Sequence, residues 1–149
     1  MEGTDMLGNA GADVEKVPKL RVLIVDDDAR VRRALRSLIE CSPDLTVVGE
    51  AVSAVSTPQL DSTLLPDVVV LDLLLPRASD GIDVLRELRR RDRPVVAISA
   101  MSELGPIALA AGAHTFLDKH ARGAGRLVDM IRAASGHHPN PRGESSARG

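Results

Sequence analysis

The sequence predicts an α/β fold with a parallel sheet. Short β-branched runs recur along the chain, stretches with helical apolar spacing separate them, and a polar residue follows four of the five runs. Strands alternating with helices in this way build a sheet covered on both faces. A length of 149 residues suits one domain, and 44% hydrophobic against 27% charged residues supply one core and exclude disorder along the whole length.

The elements follow in order. Leu20–Val25 (LRVLIV) is a strand, and Val31, Leu35, Leu38 and Ile39 then share one helical face. Leu45–Glu50 (LTVVGE) is the second strand, after which Thr57–Pro58 reads as an N-cap with proline at the first helical position, opening a helix with Leu60 and Leu64 inward. Asp67–Leu71 (DVVVL) is apolar enough to be buried on both faces. Ile82, Leu85 and Leu88 mark the third helix, whose outer face carries Arg86, Arg89 and Arg90. Pro94–Ile98 (PVVAI) is the fourth strand. Leu104, Ile107, Ala108 and Ala111 then fall at helical spacing up to Gly112, a helix stop signal. His114–Leu117 (HTFL) is a short fifth strand, and Leu127, Ile131 and Ala134 close with a last helix. Short connections require right-handed crossovers, so the expected product is a three-layer (βα)5 sheet in the flavodoxin-like order 2-1-3-4-5. A (βα)8 barrel needs about 250 residues.

Residues 1–18 are Gly-rich, acidic and aperiodic, and read as a flexible arm; residues 136–149 hold no core former and read as a disordered tail. The His137–His138 pair sits in that Pro-rich tail without a third ligand and reads as solvated. No apolar run approaches the roughly 18 residues of a membrane helix, and no signal peptide is visible at the N-terminus. A single cysteine, Cys41, excludes an internal disulfide and a cysteine-built zinc site and fits a reducing cytoplasm. A net charge of −2 is too balanced for a bulk electrostatic grip on nucleic acid, and Phe116, the only aromatic residue, rules out a base-stacking platform. The expectation is a cytoplasmic chain that binds neither nucleic acid nor membrane directly.

Ligands of such sheets bind beyond the carboxyl ends of the strands. Those ends carry Asp26-Asp27-Asp28, Asp72, Ser99 and Asp118-Lys119. Each has a local explanation: Asp28 as helix N-cap, Asp72 opening a turn before Pro76, Ser99 capping the next helix, Asp118-Lys119 as a solvated pair. Asp26 and Asp27 resist such a reading, because adjacent carboxylates at a strand end repel and call for a cation. Of the 19 basic residues only Lys16, Lys19 and Lys119 are lysine, so an ammonium at Lys119 departs from the chain's habit of using arginine. Carboxylates from two strands, a lysine and a hydroxyl suit a divalent cation such as Mg²⁺ together with a phosphate.

VLIVDDD (22–28), VVVLDLLLP (68–76), SDGIDVLREL (79–88), VVAISA (95–100) and AGAHTFLDK (111–119) closely resemble the receiver domain of two-component response regulators, over residues 19–135. The resemblance implies that Asp72 accepts a phosphoryl group from a sensor histidine kinase. It implies that Asp26, Asp27, Asp72 and the backbone carbonyl of Leu74 hold Mg²⁺, that Lys119 binds the phosphate, and that Ser99 and Phe116 are the switch residues. On this reading the chain is not an enzyme beyond promoting its own phosphorylation and dephosphorylation. It acts through a downstream protein partner, and a homodimer is one candidate assembly.

Three departures from the family pattern stand out. His120 follows Lys119 where receivers usually have proline after a cis bond; cis before a non-proline costs roughly 2.5–4 kcal/mol, so trans is expected. The step from Asp72 to Gly81 is one residue longer than usual. The step from Ser99 to Lys119 is about two shorter, with Gly105-Pro106 where a longer fourth helix would lie.

Three other readings compete. LTVVGEA (45–51) and AGAHTFLDK also resemble receivers joined to a helix-turn-helix output, which would make the chain a fragment of a transcriptional regulator. A degenerate receiver is opposed by the intact Asp26, Asp27, Asp72, Ser99 and Lys119. A haloacid-dehalogenase-like phosphatase would use Asp26 and Asp28 as its D-x-D start, but it leaves Asp72 without a role and lacks a late acidic pair.

Overall fold

Alternation along each strand divides the apolar side chains into two cores. Val22, Ile24, Val68, Val70, Val96 and Ile98 face one side of the sheet, and Leu23, Val25, Val69, Leu71, Val95 and Ala97 face the other. The computed structural model describes residues 18–120 and 124–136. Its elements are β1 (Leu20–Val25), α1 (Ala29–Glu40), β2 (Leu45–Ala51), α2 (Thr57–Leu64), β3 (Val68–Asp72), α3 (Ala78–Arg90), β4 (Val95–Ser99), α4 (Leu104–Ala111), β5 (Thr115–Asp118) and α5 (Ala124–Ala134). The strands pair in parallel in the predicted order 2-1-3-4-5. Helices α1 and α5 cover the first core through Ile39, Leu127 and Ile131. Helices α2, α3 and α4 cover the second through Leu60, Leu85, Leu88 and Leu104. β3 is buried at every position, and each such apolar side chain contributes roughly 1.5–3 kcal/mol of burial.

Several local expectations are corrected. Strands β3, β4 and β5 each run one residue further than their apolar stretch, so Asp72, Ser99 and Asp118 belong to the ladder. Thr57 is not an N-cap: Ser56 holds that position, and the Thr57 hydroxyl donates back to the Ser53 carbonyl at 2.8 Å. In α4 the inward face is Leu104 and Ala108, while Ile107 stands half exposed with Leu109. Helix α1 seats shallowly, with only Ile39 fully buried and Val31 left lining an open groove with Ala34, Leu35 and Leu38. Asp28 caps α1 as expected, its carboxylate accepting the Arg30 N–H at 2.8 Å. The bond into His120 is trans; the cis peptide among the described residues is Leu75–Pro76. Most of the 1–18 arm and of the 136–149 tail, with His137 and His138, lies outside the described residues.

One irregularity bears on the site. Val22 pairs with Val47 but Leu23 pairs with Gly49, so β2 carries one extra residue there. Such a bulge reverses which face the following side chains take. Glu50 thereby comes level with Ile24 and looks toward α1. The Val47 N–H at the bulge is taken by the Glu40 carboxylate at 3.1 Å.

Candidate functional site

The parallel strands end together, so residues far apart in sequence meet at one edge of the sheet. Asp26, directly after β1, is fully buried. Its N–H bonds the Ala51 carbonyl at 3.1 Å and its Oδ1 accepts the Asp28 N–H at 2.9 Å. Asp72, the last residue of β3, is almost as deeply buried, and its Oδ1 accepts the Leu74 N–H at 3.1 Å. Asp27 is exposed, and no described residue donates a hydrogen bond to its carboxylate. One oxygen from each of Asp26, Asp27 and Asp72 lies within 4.8 Å of the others. An all-oxygen set of this size and charge fits a hard divalent cation.

Lys119, the residue after β5, reaches across this cluster. Its ammonium donates to Asp72 Oδ2 at 3.2 Å and to Asp26 Oδ2 at 3.3 Å. Burial pushes the Asp72 carboxyl up to about 6; the Leu74 N–H and the Lys119 charge pull against it, and the Asp26 charge adds to it. Lys119 is shifted the opposite way to its burial: desolvation alone lowers an ammonium, but the facing carboxylates of Asp72 and Asp26 win and hold its pKa above the usual value. The result is a pocket in which negative charge is concentrated and only partly neutralised, next to a cation held in place.

Ser99 ends β4 at the same edge and is fully buried. Its Oγ accepts the Met101 N–H at 3.0 Å and its carbonyl accepts the Lys119 N–H at 2.9 Å, so it fixes two neighbouring loops. Phe116 lies two residues before Asp118, half-buried against the core under α3 and α4. A Cβ on Gly105 would come within 3.0 Å of the Phe116 ring, so the glycine at the start of α4 makes room for it. Sequence reading brought Asp26, Asp27, Asp72 and Lys119 to one site, and the structure joins them there. Ser99 shares their edge, and Phe116 lies two residues back from it along β5.

Two further arrangements were missed. Arg32 donates from Nη1 to the Asp26 carbonyl at 2.8 Å and from Nε to Glu50 Oε1 at 2.9 Å; Arg36 Nε takes Glu50 Oε2 at 2.8 Å. These guanidinium bonds, that of Arg36 first, hold the Glu50 carboxyl below its usual range. The other is Asp61 on α2, fully buried and bonded by Arg93 Nε at 2.7 Å and Arg91 Nη1 at 3.1 Å. A buried carboxylate between two guanidinium groups ties α2 to the segment after α3.

A family model described as the response regulator receiver domain matches residues 22–132. The protein-glutamate methylesterase/protein-glutamine glutaminase 1 of Dechloromonas aromatica is 40% identical over 129 residues, covering 78% of this chain and 37% of that protein. Its counterpart in Cupriavidus metallidurans is 37% identical over 142 residues, 87% of this chain and 40% of that protein. The chain thus spans about two fifths of the length of these curated relatives. Among solved structures, the response regulator domain of Thermotoga maritima CheB is 31% identical with a TM-score of 0.71, over 81% of this chain and 99% of that one. The signal receiver domain of the putative response regulator NarL from Mycobacterium tuberculosis is 29% identical with a TM-score of 0.72, over the same shares. These matches leave no place for the phosphatase alternative, which gave Asp72 no task. The matched span runs from β1 into α5 and takes in every strand end that meets at the acidic edge, and this chain belongs to the response regulator receiver domain family.

Proposed function

We propose that residues 19–135 form a phosphoacceptor unit in which Asp72 takes a phosphoryl group from a histidine of a sensor kinase. The observation that carries this is the Lys119 ammonium, bridging Asp72 and Asp26 beside the exposed Asp27 carboxylate. Asp72 Oδ attacks phosphorus, the phosphorus–nitrogen bond of the donor breaks, and its electron pair stays on the departing imidazole. The product is an acyl phosphate on Asp72. Asp26, Asp27, Asp72 and the Leu74 carbonyl are the residues that would hold Mg²⁺, which when bound offsets the charge of the incoming phosphoryl oxygens. Lys119 holds one of those oxygens by a charge-assisted hydrogen bond. Ser99, whose hydroxyl proton is free to turn, donates to another, and the space it vacates admits Phe116, whose ring otherwise packs beside Gly105. The readout is a changed surface around α4 and β5 that a protein partner reads.

Members of this family are signalling modules, and a receiver domain alone is not an esterase. The curated relatives favour a second reading for the output: the receiver governs a protein-glutamate methylesterase, carried on the same polypeptide or a separate one. The expected setting is cytoplasmic, and no helix among the described residues is long and apolar enough to cross a membrane. Acetyl phosphate with Mg²⁺ should add one phosphoryl mass to the intact protein. Asp72→Asn should abolish that addition, and full labelling of the variant would refute the assignment.

A further inference from the structure

We infer that Arg32 is a positioning residue for the metal-binding corner, and that Glu50 is the residue that orients it; this rests on the metal site proposed above. The brace starts in strand β2. Its bulge between Val47 and Gly49 turns Glu50 toward α1, the face it would not occupy in an unbroken strand. There Glu50 accepts from Arg32 Nε at 2.9 Å and Arg36 Nε at 2.8 Å, one oxygen to each. Arg36 also reaches Glu40 Oε2 at 3.4 Å, the carboxylate that accepts the Val47 N–H at the bulge. Arg32 is thereby held by one arm, and its side chain is only 15% exposed. Its other arm donates to the Asp26 carbonyl at 2.8 Å.

That carbonyl belongs to the peptide that joins Asp26 to Asp27. Asp26 itself is fastened by its N–H, by both carboxylate oxygens and by the Arg32 bond. Asp27 has no such fastening among the described residues, and yet one of its oxygens lies in the acidic cluster. Its aim follows from the peptide plane before it, because that plane is rigid. A planar guanidinium can serve Glu50 and the carbonyl together from fixed positions, which a single ammonium cannot do with the same geometry. The bulge, Glu50 and Arg32 form a brace from the edge strand to Asp27.

The sign of the effect separates this from simple electrostatics. Arg32 is a positive charge beside an acidic cluster, so charge alone makes Arg32→Ala bind a cation more tightly. Loss of the brace makes it bind more weakly. Mg²⁺ is titrated calorimetrically into the unaltered 149-residue chain and into Arg32→Ala, Arg32→Lys and Glu50→Gln, at temperatures well below each thermal midpoint. Partners that orient metal ligands typically change affinity by about 10–100-fold, and the expected loss for Arg32→Ala and Arg32→Lys is about tenfold. Glu50→Gln is expected to lose less, since the amide oxygen still accepts one arm. Arg132→Ala removes an ion pair with Asp44 at the opposite end of the sheet and should leave the titration unchanged. Should Arg32→Ala fail to fold, the charge-retaining Arg32→Lys decides the matter. Equal or tighter Mg²⁺ binding in the folded Arg32 variants overturns the brace while leaving the metal site intact. Absence of Mg²⁺ binding in the unaltered chain overturns the metal site itself, and the brace with it.

Discussion

The Lys119 ammonium lies 3.2 Å from Asp72 Oδ2, although 47 residues separate the two in sequence. The parallel sheet makes this possible, since the ends of β3 and β5 flank the end of β4 on one edge. The contact does not fully compensate the burial of Asp72, whose carboxyl titrates near 6 and not near 3.8. A raised carboxyl pKa means that the folded state holds its proton more tightly than the unfolded chain. The stability from this group is complete below pH 3.8 and is lost as the pH rises through about 6.

Metal-free protein should therefore lose urea stability as the pH rises from 3.8 through about 6, relative to Asp72→Asn, which has no charge to bury. The expected difference at pH 7.5 is about 1–3 kcal/mol in favour of the variant. Saturating Mg²⁺ should reverse the ranking by binding only the unaltered site. Parallel pH profiles for the two proteins would show that the Asp72 carboxylate is not under strain.

Asp27 and Asp28 are neighbours with different work. Asp28 accepts the Arg30 N–H, which holds its carboxyl below the usual range, and it caps α1. Asp27 contributes an oxygen to the acidic cluster. Asp28→Ala should lower the thermal midpoint, as loss of an N-cap does, and leave Mg²⁺ affinity nearly unchanged. Asp27→Ala should leave stability nearly unchanged and weaken Mg²⁺ binding at least tenfold, an order typical of altered metal ligation. Calorimetry and thermal melts on both variants check this, and equal losses of metal affinity would mean the triplet is divided differently.

Asp61 offers a purely structural test. Its carboxylate lies between Arg91 and Arg93, which also hold the Pro58 and Pro66 carbonyls. Asp61→Ala leaves Arg93 without its counter-ion and Arg91 with Glu87 alone, and should cost about 2–4 kcal/mol. Mg²⁺ affinity should hold, because the network lies on α2 and after α3, away from the acidic edge. A folded variant with unchanged urea midpoint would show the pair to be solvent-compensated.

The sheet order was legible because alternation of short apolar runs with helical spacing admits few topologies. The acid cluster and Lys119 were legible because strand ends are where such sheets bind ligands. The ladder ends were not: Asp72, Ser99 and Asp118 continue their strands through backbone hydrogen bonds that side-chain polarity conceals. The Arg32–Glu50 brace was hidden for a stronger reason. Period-two reading places Glu50 on the α2 side, and only the extra residue at the bulge turns it to Arg32. Ile107 misled because two faces of an eight-residue helix, both apolar, cannot be told apart by spacing.

The lifetime of the phosphorylated state depends on how water reaches phosphorus. The backbone N–H groups of Leu74 and Met101 bond Asp72 Oδ1 at 3.1 Å and Ser99 Oγ at 3.0 Å. Each therefore starts its side chain at the rim of the acidic pocket, and Met101 is 43% exposed there. Neither side chain has a carboxylate or amide to orient an attacking water. Positioning accounts for most of the help this step can receive. Slow self-dephosphorylation is the expected outcome, with Lys119 fully competent. The trans bond at His120 offers a competing cause, since it shapes the loop that follows Lys119. Leu74→Asn and Met101→Glu separate the two, because they change water access and leave that loop alone. A phosphate-release time course should show decay faster by about 3- to 10-fold in at least one variant. Unchanged decay in both, with phosphorylation of Asp72 intact, would assign the slow step to the His120 loop.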